Sequence, residues 1–433
     1  MFLENGRIRI DEFSNKKTLP SVPLQYMGPH MPRWGIIDTA LLMPDSVGLL
    51  VGPAGCLRQS FFDVRKHGSV GRLYLLPVSE TDLVTGEHLQ KVKGAIIEIA
   101  VKKKPGAIIL CIMCVDDILG SDYEGIAEEM EAILDISISI VKRIPICRDK
   151  KPSPEQRGHA FFYNFLESAR KKDASKKDTA VNILGAYKTI SKESEIYELL
   201  LGAGFSKIYQ IADCVSFDHF ADMAMASHNL VIHPCGILLA KEMEKHMGIP
   251  YCFVPASFGF SAVEENYKKI ETFLNAELNT TPYREKAEHY LAVKLNRLSG
   301  KKIAVGSGIN GSPFETARAL IEFGLEINAI FVDKVKDCEW SHIDWLAGKC
   351  PQLFVYRIFH PCLMEHLEEW ADIDLALGPD AGYYCTCAKT VSIPLDVQGY
   401  GYQNSFYLIR EIFMAMEDIS NQREFICSSS PIV

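Results

Sequence analysis

The chain has 433 residues, too many for one hydrophobic core, because single cores stop growing at roughly 250–300 residues. Its 48% hydrophobic and 23% charged residues are typical of a soluble globular protein. Its net charge of -9 argues against nucleic acid as a partner, since phosphate binding requires a concentrated basic surface. The first residues carry charges where a signal peptide needs an apolar stretch, and no run reaches the ~18 apolar residues of a membrane span. We therefore expect a cytoplasmic protein of several domains, with no nucleic acid and no membrane as partner.

Thirteen cysteines are plentiful for a cytoplasmic chain, where thiols stay reduced and clustered cysteines indicate metal or redox chemistry. A cysteine without such a role packs like a small hydrophobic residue, so we expect about half of them to be core. Four cysteines in or beside apolar segments are assigned no role: Cys147, Cys252, Cys338 and Cys350.

Short apolar, β-rich runs alternate with amphipathic helical stretches along most of the chain. The run at 107–111 precedes a helical stretch near 126–134, and the run at 302–305 precedes one at 314–323. Such alternation predicts an α/β fold, in which parallel sheets are flanked by helices and right-handed βαβ crossovers join the strands.

Linkers are predicted where proline and charge accumulate, at 149–157 and at 275–288. They divide the chain into three parts of similar make-up. We therefore predict three Rossmann-like domains: an N-terminal α/β domain at 21–150, a middle α/β domain at 155–275 and a C-terminal α/β domain at 300–433.

The first motif is a buried-strand run at 47–51 that ends in a Gly-Pro-x-Gly turn and places Cys56 at the tip. Glycines let the backbone approach a bulky group closely, and a thiol at a strand end is well placed to bind a metal. On its own this turn is weak evidence.

The second motif is a strand at 107–113 that runs into a Cys-x-x-Cys formed by Cys111 and Cys114. Ligand sites of open α/β sheets form at the carboxyl ends of the strands. A thioredoxin-like motif would open the helix, whereas Cys111 still belongs to the strand. We therefore predict that Cys111 is core and that Cys114 is the functional cysteine.

Further cysteines follow predicted strands in the later domains, where a cleft between domains would hold a metallocofactor or a thiol-rich substrate pocket. The alternative is that they are ordinary turn and core residues. These cofactor-binding candidates are Cys235 in His-Pro-Cys-Gly, Cys362 in a second His-Pro-Cys, and Cys385 and Cys387 in Tyr-Cys-Thr-Cys. Three histidines are expected to be structural only: His219, His228 and His366.

A glycine-rich motif favours a different class of protein. The strand at 302–305 runs into Gly306-x-Gly308-x-x-Gly311, and Asp333 closes the next strand about 20 residues further on. This spacing is that of a dinucleotide-binding turn with an acid for the ribose hydroxyl. An NAD-dependent oxidoreductase is therefore one alternative, although Pro313 crowds the first helical turn.

In order and spacing, three segments of the first domain resemble nitrogenase component 1 type oxidoreductases: 52–56, 80–87 and 114–122. Later likenesses are the strand 229–231 leading to 243–251, and Gly399-Tyr400-Gly401-Tyr402 before a helix. The resemblance thus covers most of the chain. Relative to the family, one cysteine is missing, because Met31, next to His30, stands at its place.

The resemblance implies that Cys56 and Cys114 are metal ligands that supply half of the four thiolates of a [4Fe-4S] cluster. The same pair from a second copy, or its equivalents in a related subunit, would supply the other half across a twofold axis. The chain would therefore form a homodimer or a heterodimer with the cluster shared between subunits.

The resemblance further implies a subunit of a nitrogenase-like reductase. An ATP-dependent iron protein, nitrogenase reductase-like, would pass low-potential electrons through the bridging cluster to a small-molecule substrate bound between domains. Asp116, Asp117 or His67 would be the proton source. The main alternative is a scaffold for metallocluster assembly, which would use the same fold and the same bridging cysteines.

Overall fold

Three sheets contain all the strands in the part of the chain that the computed structural model describes. That part comprises residues 6–22, 24–26, 37, 39, 41–58, 70–113, 115, 119–143, 152–172, 179–365, 367–394, 397–418 and 420–428.

The strands in chain order are β1 Arg7–Arg9, β2 Ser46–Gly52, β3 Leu73–Pro77, β4 Ala107–Met113, β5 Ser137–Arg143, β6 Ala180–Leu184, β7 Lys207–Gln210, β8 His228–Val231, β9 Tyr251–Phe253, β10 Lys302–Val305, β11 Glu326–Val332, β12 Phe354–Arg357, β13 Leu375–Leu377 and β14 Lys389–Val391. The helices are α1 Ile10–Lys16, α2 Glu80–Thr85, α3 Glu87–Lys103, α4 Tyr123–Leu134, α5 Pro154–Ala160, α6 Phe162–Lys172, α7 Ile196–Gly202, α8 Phe217–Ala221, α9 Ile237–Met247, α10 Phe260–Leu274, α11 Thr281–Leu295, α12 Pro313–Glu322, α13 Trp340–Lys349, α14 Cys362–Glu365, α15 Pro379–Tyr384, α16 Tyr402–Glu417 and α17 Gln422–Ser428.

The chain forms two units. Unit 1 comprises Met1–Arg33, Ile190–Ala203 and Pro255–Val433, and unit 2 comprises Trp34–Thr189 and Gly204–Val254. The chain therefore passes between the units at more than one point of the sequence.

The first sheet of unit 2 has the strand order β3-β2-β4-β5, and all of its strands are parallel. Every residue of β2 and of β4 is buried, because apolar groups cover both faces of the central strands. On one face Val92 and Ile96 of α3 and Met130 of α4 join the core. The aliphatic runs of the sequence therefore form the centre of this sheet.

The second sheet of unit 2 has the order β7-β6-β8-β9, again all parallel. It shares one hydrophobic core with the first sheet, in which Met113, Phe162, Leu184 and Phe220 pack together. The third sheet belongs to unit 1. The division into three domains stays a prediction, alongside the two units found in the structure.

The sheet of unit 1 has the order β1-β12-β11-β10-β13-β14, parallel except for β1, which runs antiparallel to β12. The N-terminal segment therefore completes the C-terminal sheet, and in α1 the Phe13 ring lies 5.4 Å from that of Trp340. No strand or helix was predicted for these first residues.

The predicted α/β fold of parallel sheets flanked by helices is confirmed. No helix in the described part of the chain combines the length and the apolarity that crossing a membrane requires.

Candidate functional site

The two predicted cluster cysteines follow neighbouring parallel strands. Strands β2 and β4 pair with Val51 beside Ile112, so their carboxyl ends lie at the same edge of the sheet. A Cβ atom on Gly52 would lie 2.5 Å from Met113 Cγ, so glycine is what permits this close approach.

Cys56 lies four residues beyond β2, in a helical turn at 54–58, and its side chain is exposed. Cys114 follows β4 directly but lies outside the described residues. His30, Met31, His67, Asp116 and Asp117 also lie outside the described residues. The metal-binding pair Cys56 and Cys114 therefore stays a prediction.

Cys111 is buried within β4 and packs in the core of unit 2, as predicted. Its thiol lies 3.9 Å from the carbonyl oxygen of Ile109 in the same strand. Cys111 therefore lies within a strand and not at the start of a helix.

A cavity of about 220 Å³ opens at the carboxyl ends of β4 and β5, lined by Ile112, Lys142 and residues 120–124. Lys142 Nζ lies 2.9 Å from Glu124 Oε1, and this bond lowers the pKa of the Glu124 carboxyl. Small polar ligands bind at such edges of parallel sheets.

Cys235 is buried in a tight turn, Pro234–Gly236, that follows β8. Its Sγ lies 2.9 Å from His233 Nδ1 and 3.3 Å from the carbonyl oxygen of Gly185, so the thiol proton has two acceptors. The backbone N–H of Cys235 also donates to His233 Nδ1 at 3.3 Å. The sequence motif His-Pro-Cys thus folds into a compact thiol–imidazole pair.

Two glycines allow this turn to pack against the end of β6. Gly185 has a φ of 92°, and a Cβ there would lie 2.8 Å from the carbonyl oxygen of His233. A Cβ on Gly236 would lie 2.9 Å from the nitrogen of Gly185. The close approach fixes the Cys235 turn at the carboxyl ends of β6 and β8, where ligands of parallel sheets bind.

His159 of α5 is a further candidate that the sequence analysis missed. The side chain is fully buried, and neither ring nitrogen has a hydrogen-bond partner among the described residues. Burial lowers the pKa of the imidazole to about 4, so the ring is neutral at pH 7. Buried polar atoms normally have partners, because leaving them without one costs about 1–3 kcal/mol each.

His159 belongs to the same part of unit 2 as the Cys235 turn. The Tyr187 ring lies 5.2 Å from the His159 ring and 6.2 Å from the His233 ring. From the same helix as His159, Gln156 Nε2 donates to the carbonyl oxygen of Pro234 at 3.2 Å. No sequence signal marks His159, since the lack of a partner is visible only in three dimensions.

The second His-Pro-Cys motif has a similar turn in unit 1, where the N–H of Cys362 donates to His360 Nδ1 at 3.3 Å. A Cβ on Gly6 would overlap Cys362 Sγ, so the N-terminal segment covers this thiol. Burial raises the pKa of Cys362 and, more strongly, that of Cys385, whereas Cys387 is exposed. Cys362 and Cys385 pack in one apolar cluster, and cofactor binding by these three cysteines stays a prediction.

Two of the histidines expected to be structural have ordinary contacts. His219 packs its ring 5.8 Å from that of Tyr209, and His228 Nδ1 lies 2.9 Å from Ser227 Oγ. His366 lies outside the described residues.

The glycine-rich loop after β10 binds a carboxylate of its own chain. The N–H groups of Ser307 and Gly308 donate to the two oxygens of Asp380, at 2.7 and 3.1 Å. Asp380 is fully buried, which raises the pKa of its carboxyl, and a Cβ on Gly306 would overlap it. A dinucleotide site needs these N–H groups for its pyrophosphate.

Asp333, the predicted ribose ligand, is buried, and its carboxylate lies 3.8 Å from the guanidinium of Arg357. These contacts argue against the alternative of an NAD site at this loop. The motif has the spacing of a phosphate loop, but its N–H groups already bind Asp380.

The Gly-Tyr-Gly-Tyr motif before α16 also binds an internal carboxylate. Glu195 is buried and accepts hydrogen bonds from the Tyr267 hydroxyl at 2.8 Å and from the N–H of Tyr402 and of Gln403. Gly401 has a φ of 69°, and a Cβ there would overlap both Glu195 and Tyr267. The motif therefore lets a carboxylate cap the start of α16.

Within the described residues, no three His, Cys, Asp or Glu side chains are grouped so that they could hold a metal ion.

The chain matches the family model of nitrogenase component 1 type oxidoreductases over residues 33–416. The nitrogenase iron-molybdenum cofactor biosynthesis protein NifE of Sinorhizobium fredii (strain NBRC 101917 / NGR234) is 24% identical over 402 residues, which cover 86% of this chain and 78% of the relative. The nitrogenase molybdenum-iron protein alpha chain of Methanosarcina barkeri is 25% identical over 243 residues, covering 53% and 44%. A solved structure of nitrogenase Cp1 at pH 6.5 superimposes with a TM-score of 0.69 at 16% identity, covering 92% of this chain and 95% of that one. The chain therefore belongs to the nitrogenase component 1 type oxidoreductase family.

Proposed function

We propose that this chain is a scaffold subunit that holds a metallocluster in unit 2 and hands it on to another protein. The observation that carries the proposal is a buried imidazole, His159, whose ring nitrogens have no hydrogen-bond partner among the described residues. It lies on α5, the helix whose Gln156 donates to the turn that holds the buried Cys235 thiol. Relatives such as the NifE protein of Sinorhizobium fredii are named for cofactor biosynthesis, which favours the same role.

The chemistry of these side chains fits a metallocluster as cargo. Thiolate and neutral imidazole are ligands that iron and other soft or borderline metals accept. Cys235 must lose its proton to bind, and His233 Nδ1, 2.9 Å from its Sγ, is the base within reach. The neutral His159 ring offers one nitrogen lone pair and one N–H donor, so it would bind the cluster or donate a hydrogen bond to it.

We further propose that Cys56 and Cys114 bind half of a four-iron cluster that is shared with a second copy or a related subunit. The exposure of Cys56 supports this arrangement, because a bridging ligand must be reachable from another chain. The pairing of β2 with β4 also supports it, since both cysteines follow the ends of neighbouring strands.

A second candidate function is catalysis as a nitrogenase-like reductase. The likeness to the alpha chain of the Methanosarcina barkeri molybdenum-iron protein favours it. In that case an ATP-dependent iron protein would dock on the chain, and electrons would pass through the bridging cluster to a small-molecule substrate.

Iron analysis and electron paramagnetic resonance on anaerobically purified protein test the bridging cluster. We expect about four irons per dimer at this site and their loss in Cys56→Ser. Cys427→Ser is the matched control, because Cys427 is also an exposed cysteine and is assigned no role. A four-iron signal that survives in Cys56→Ser would contradict the bridging site.

Loading of a preformed cluster tests the site in unit 2. Cys235→Ala and His159→Leu should each lower the bound metal beyond the bridging iron. The control Cys338→Ala, at a partly buried cysteine that is assigned no role, should retain it. Equal loading in all variants would contradict the proposed holding site.

Turnover separates a scaffold from an enzyme. With an iron protein, ATP and a reductant, a scaffold should stop after transferring one cluster per site. Sustained oxidation of the reductant would favour the reductase instead.

A further inference from the structure

The first turn of α16 and the residues just before it, 398–405, contact two distant segments of unit 1. One is 190–203 and the other is 255–259, and each begins where the chain enters unit 1, after Thr189 and after Val254. All contacts described below lie within unit 1.

The segment 190–203 is tied to 398–405 by buried polar groups. The N–H of Ser191 donates to the carbonyl oxygen of Gln398 at 2.8 Å, and Ser194 Oγ donates to that of Tyr400 at 3.0 Å. The Glu195 carboxylate accepts from the N–H of Tyr402 and of Gln403, and Tyr267 donates its hydroxyl to the same carboxylate. Residues 398–403 therefore both accept hydrogen bonds from the segment 190–203 and donate hydrogen bonds to it, which fixes their backbone.

The segment 255–259 is tied to the next two residues of the same turn. Asn404 Nδ2 donates to the carbonyl oxygen of Ser257 at 3.0 Å, and Ser405 Oγ donates to that of Phe258 at 2.6 Å. The Glu315 carboxylate accepts from the N–H of Phe258 and of Gly259, the latter at 2.8 Å. Asn404, Ser405 and Glu315 are all buried, so water cannot replace these bonds without local opening.

We propose that residues 398–405 act as a latch that holds the segments 190–203 and 255–259 together. When the latch opens, both segments open with it, as one local unit of unfolding. The physical reason is continuity: Glu195 binds the N–H groups of the residues directly before Asn404 and Ser405. If the turn unwinds, Asn404 and Ser405 leave their partners as well. Local opening in proteins proceeds in such contiguous cooperative units. This inference goes beyond the proposed function and does not depend on it.

Hydrogen exchange followed by mass spectrometry on the full chain tests the latch. Glu195→Gln keeps the shape of the side chain but leaves only one oxygen for the N–H groups of Tyr402 and Gln403. We expect exchange to become about 10- to 100-fold faster in peptides covering 398–405 and also in those covering 255–259, which Glu195 does not contact. The matched control is Glu193→Gln, an exposed acid two residues away, which should change neither.

The reverse experiment uses Ser405→Ala, which removes the donor to Phe258 and should speed exchange in 190–203. If Glu195→Gln does not fold, Tyr267→Phe tests the same coupling by removing only one hydroxyl donor. An effect confined to the segment that the altered residue contacts would overturn the proposal. So would an equal rise throughout unit 1 or no change.

Discussion

Glu315 should make the stability of unit 1 fall as the pH rises from about 4.5 to about 7. The carboxyl is fully buried, and burial raises its pKa from 4.5 to about 7, against the opposing effect of the bonds from the N–H of Gly259 and of Phe258. The folded chain therefore holds a proton that the unfolded chain has already lost within this window. The stabilising contribution is complete below pH 4.5 and is lost by about pH 7, a change of about 3 kcal/mol.

Glu315→Gln removes this titration, so the measurement is the difference in unfolding free energy between wild type and variant as a function of pH. Urea unfolding followed by tryptophan fluorescence reports unit 1 in a Trp34→Phe background, because the other three tryptophans, 340, 345 and 370, belong to unit 1. Glu326→Gln, an exposed acid on β11, is the control for losing one negative charge. A difference that rises with pH would show that the bonds from the amide N–H groups outweigh burial, and a flat difference would show that the two effects cancel. Either result would refute this account.

Three further predictions follow from single contacts. The stability contribution of His159 depends on pH in the opposite direction to that of Glu315. The pKa of His159 is lowered from 6.5 to about 4, so its contribution to the stability of unit 2 is present above pH 6.5 and is lost as the pH falls to 4. The wild-type minus His159→Leu difference in unfolding free energy should shrink by about 3 kcal/mol across that range, and a difference independent of pH would argue against a neutral buried ring. Gly401→Ala should destabilise unit 1 by about 2–4 kcal/mol in thermal unfolding, because its Cβ would overlap Glu195 and its φ is 69°, whereas Gly348→Ala, with open space inside α13, should be neutral or stabilising. Similar melting temperatures for the two variants would contradict this. Gly52→Ala should lower the iron content of the purified protein by pushing Met113 away from β2, while Gly55→Ala, which meets nothing within 4 Å, should retain it; equal iron in both would argue against the close approach.

Much of the fold could be predicted because the central strands are buried on both faces and read as continuous aliphatic runs. The run at 47–51 became β2 and the run at 302–305 became β10. The strand β1 could not be predicted, since Arg-Ile-Arg at a sheet edge has no apolar pattern, and its partner β12 lies near the other end of the chain.

The candidate site was less predictable for two physical reasons. A glycine-rich loop has the same sequence whether its N–H groups bind a pyrophosphate or a carboxylate, and the carboxylate that fills this one, Asp380, is far away in the sequence. His159 is likewise an ordinary residue of a helix until its burial is known, together with the lack of hydrogen-bond partners for its ring among the described residues. By contrast, the turn containing Cys235 could be located, because its cysteine directly follows a strand.

The antiparallel pairing of β1 with β12 sets the order in which the protein can fold during synthesis. β1 leaves the ribosome before the strands of unit 2, whereas its partner and the rest of its sheet, β10 to β14, emerge after them. The segments of unit 2 are complete once Val254 has emerged, before any other strand of that third sheet exists. Since domains fold as units during synthesis, we expect unit 2 to fold first. Residues 7–16, which form β1 and α1, must wait until the nascent chain has passed residue 357.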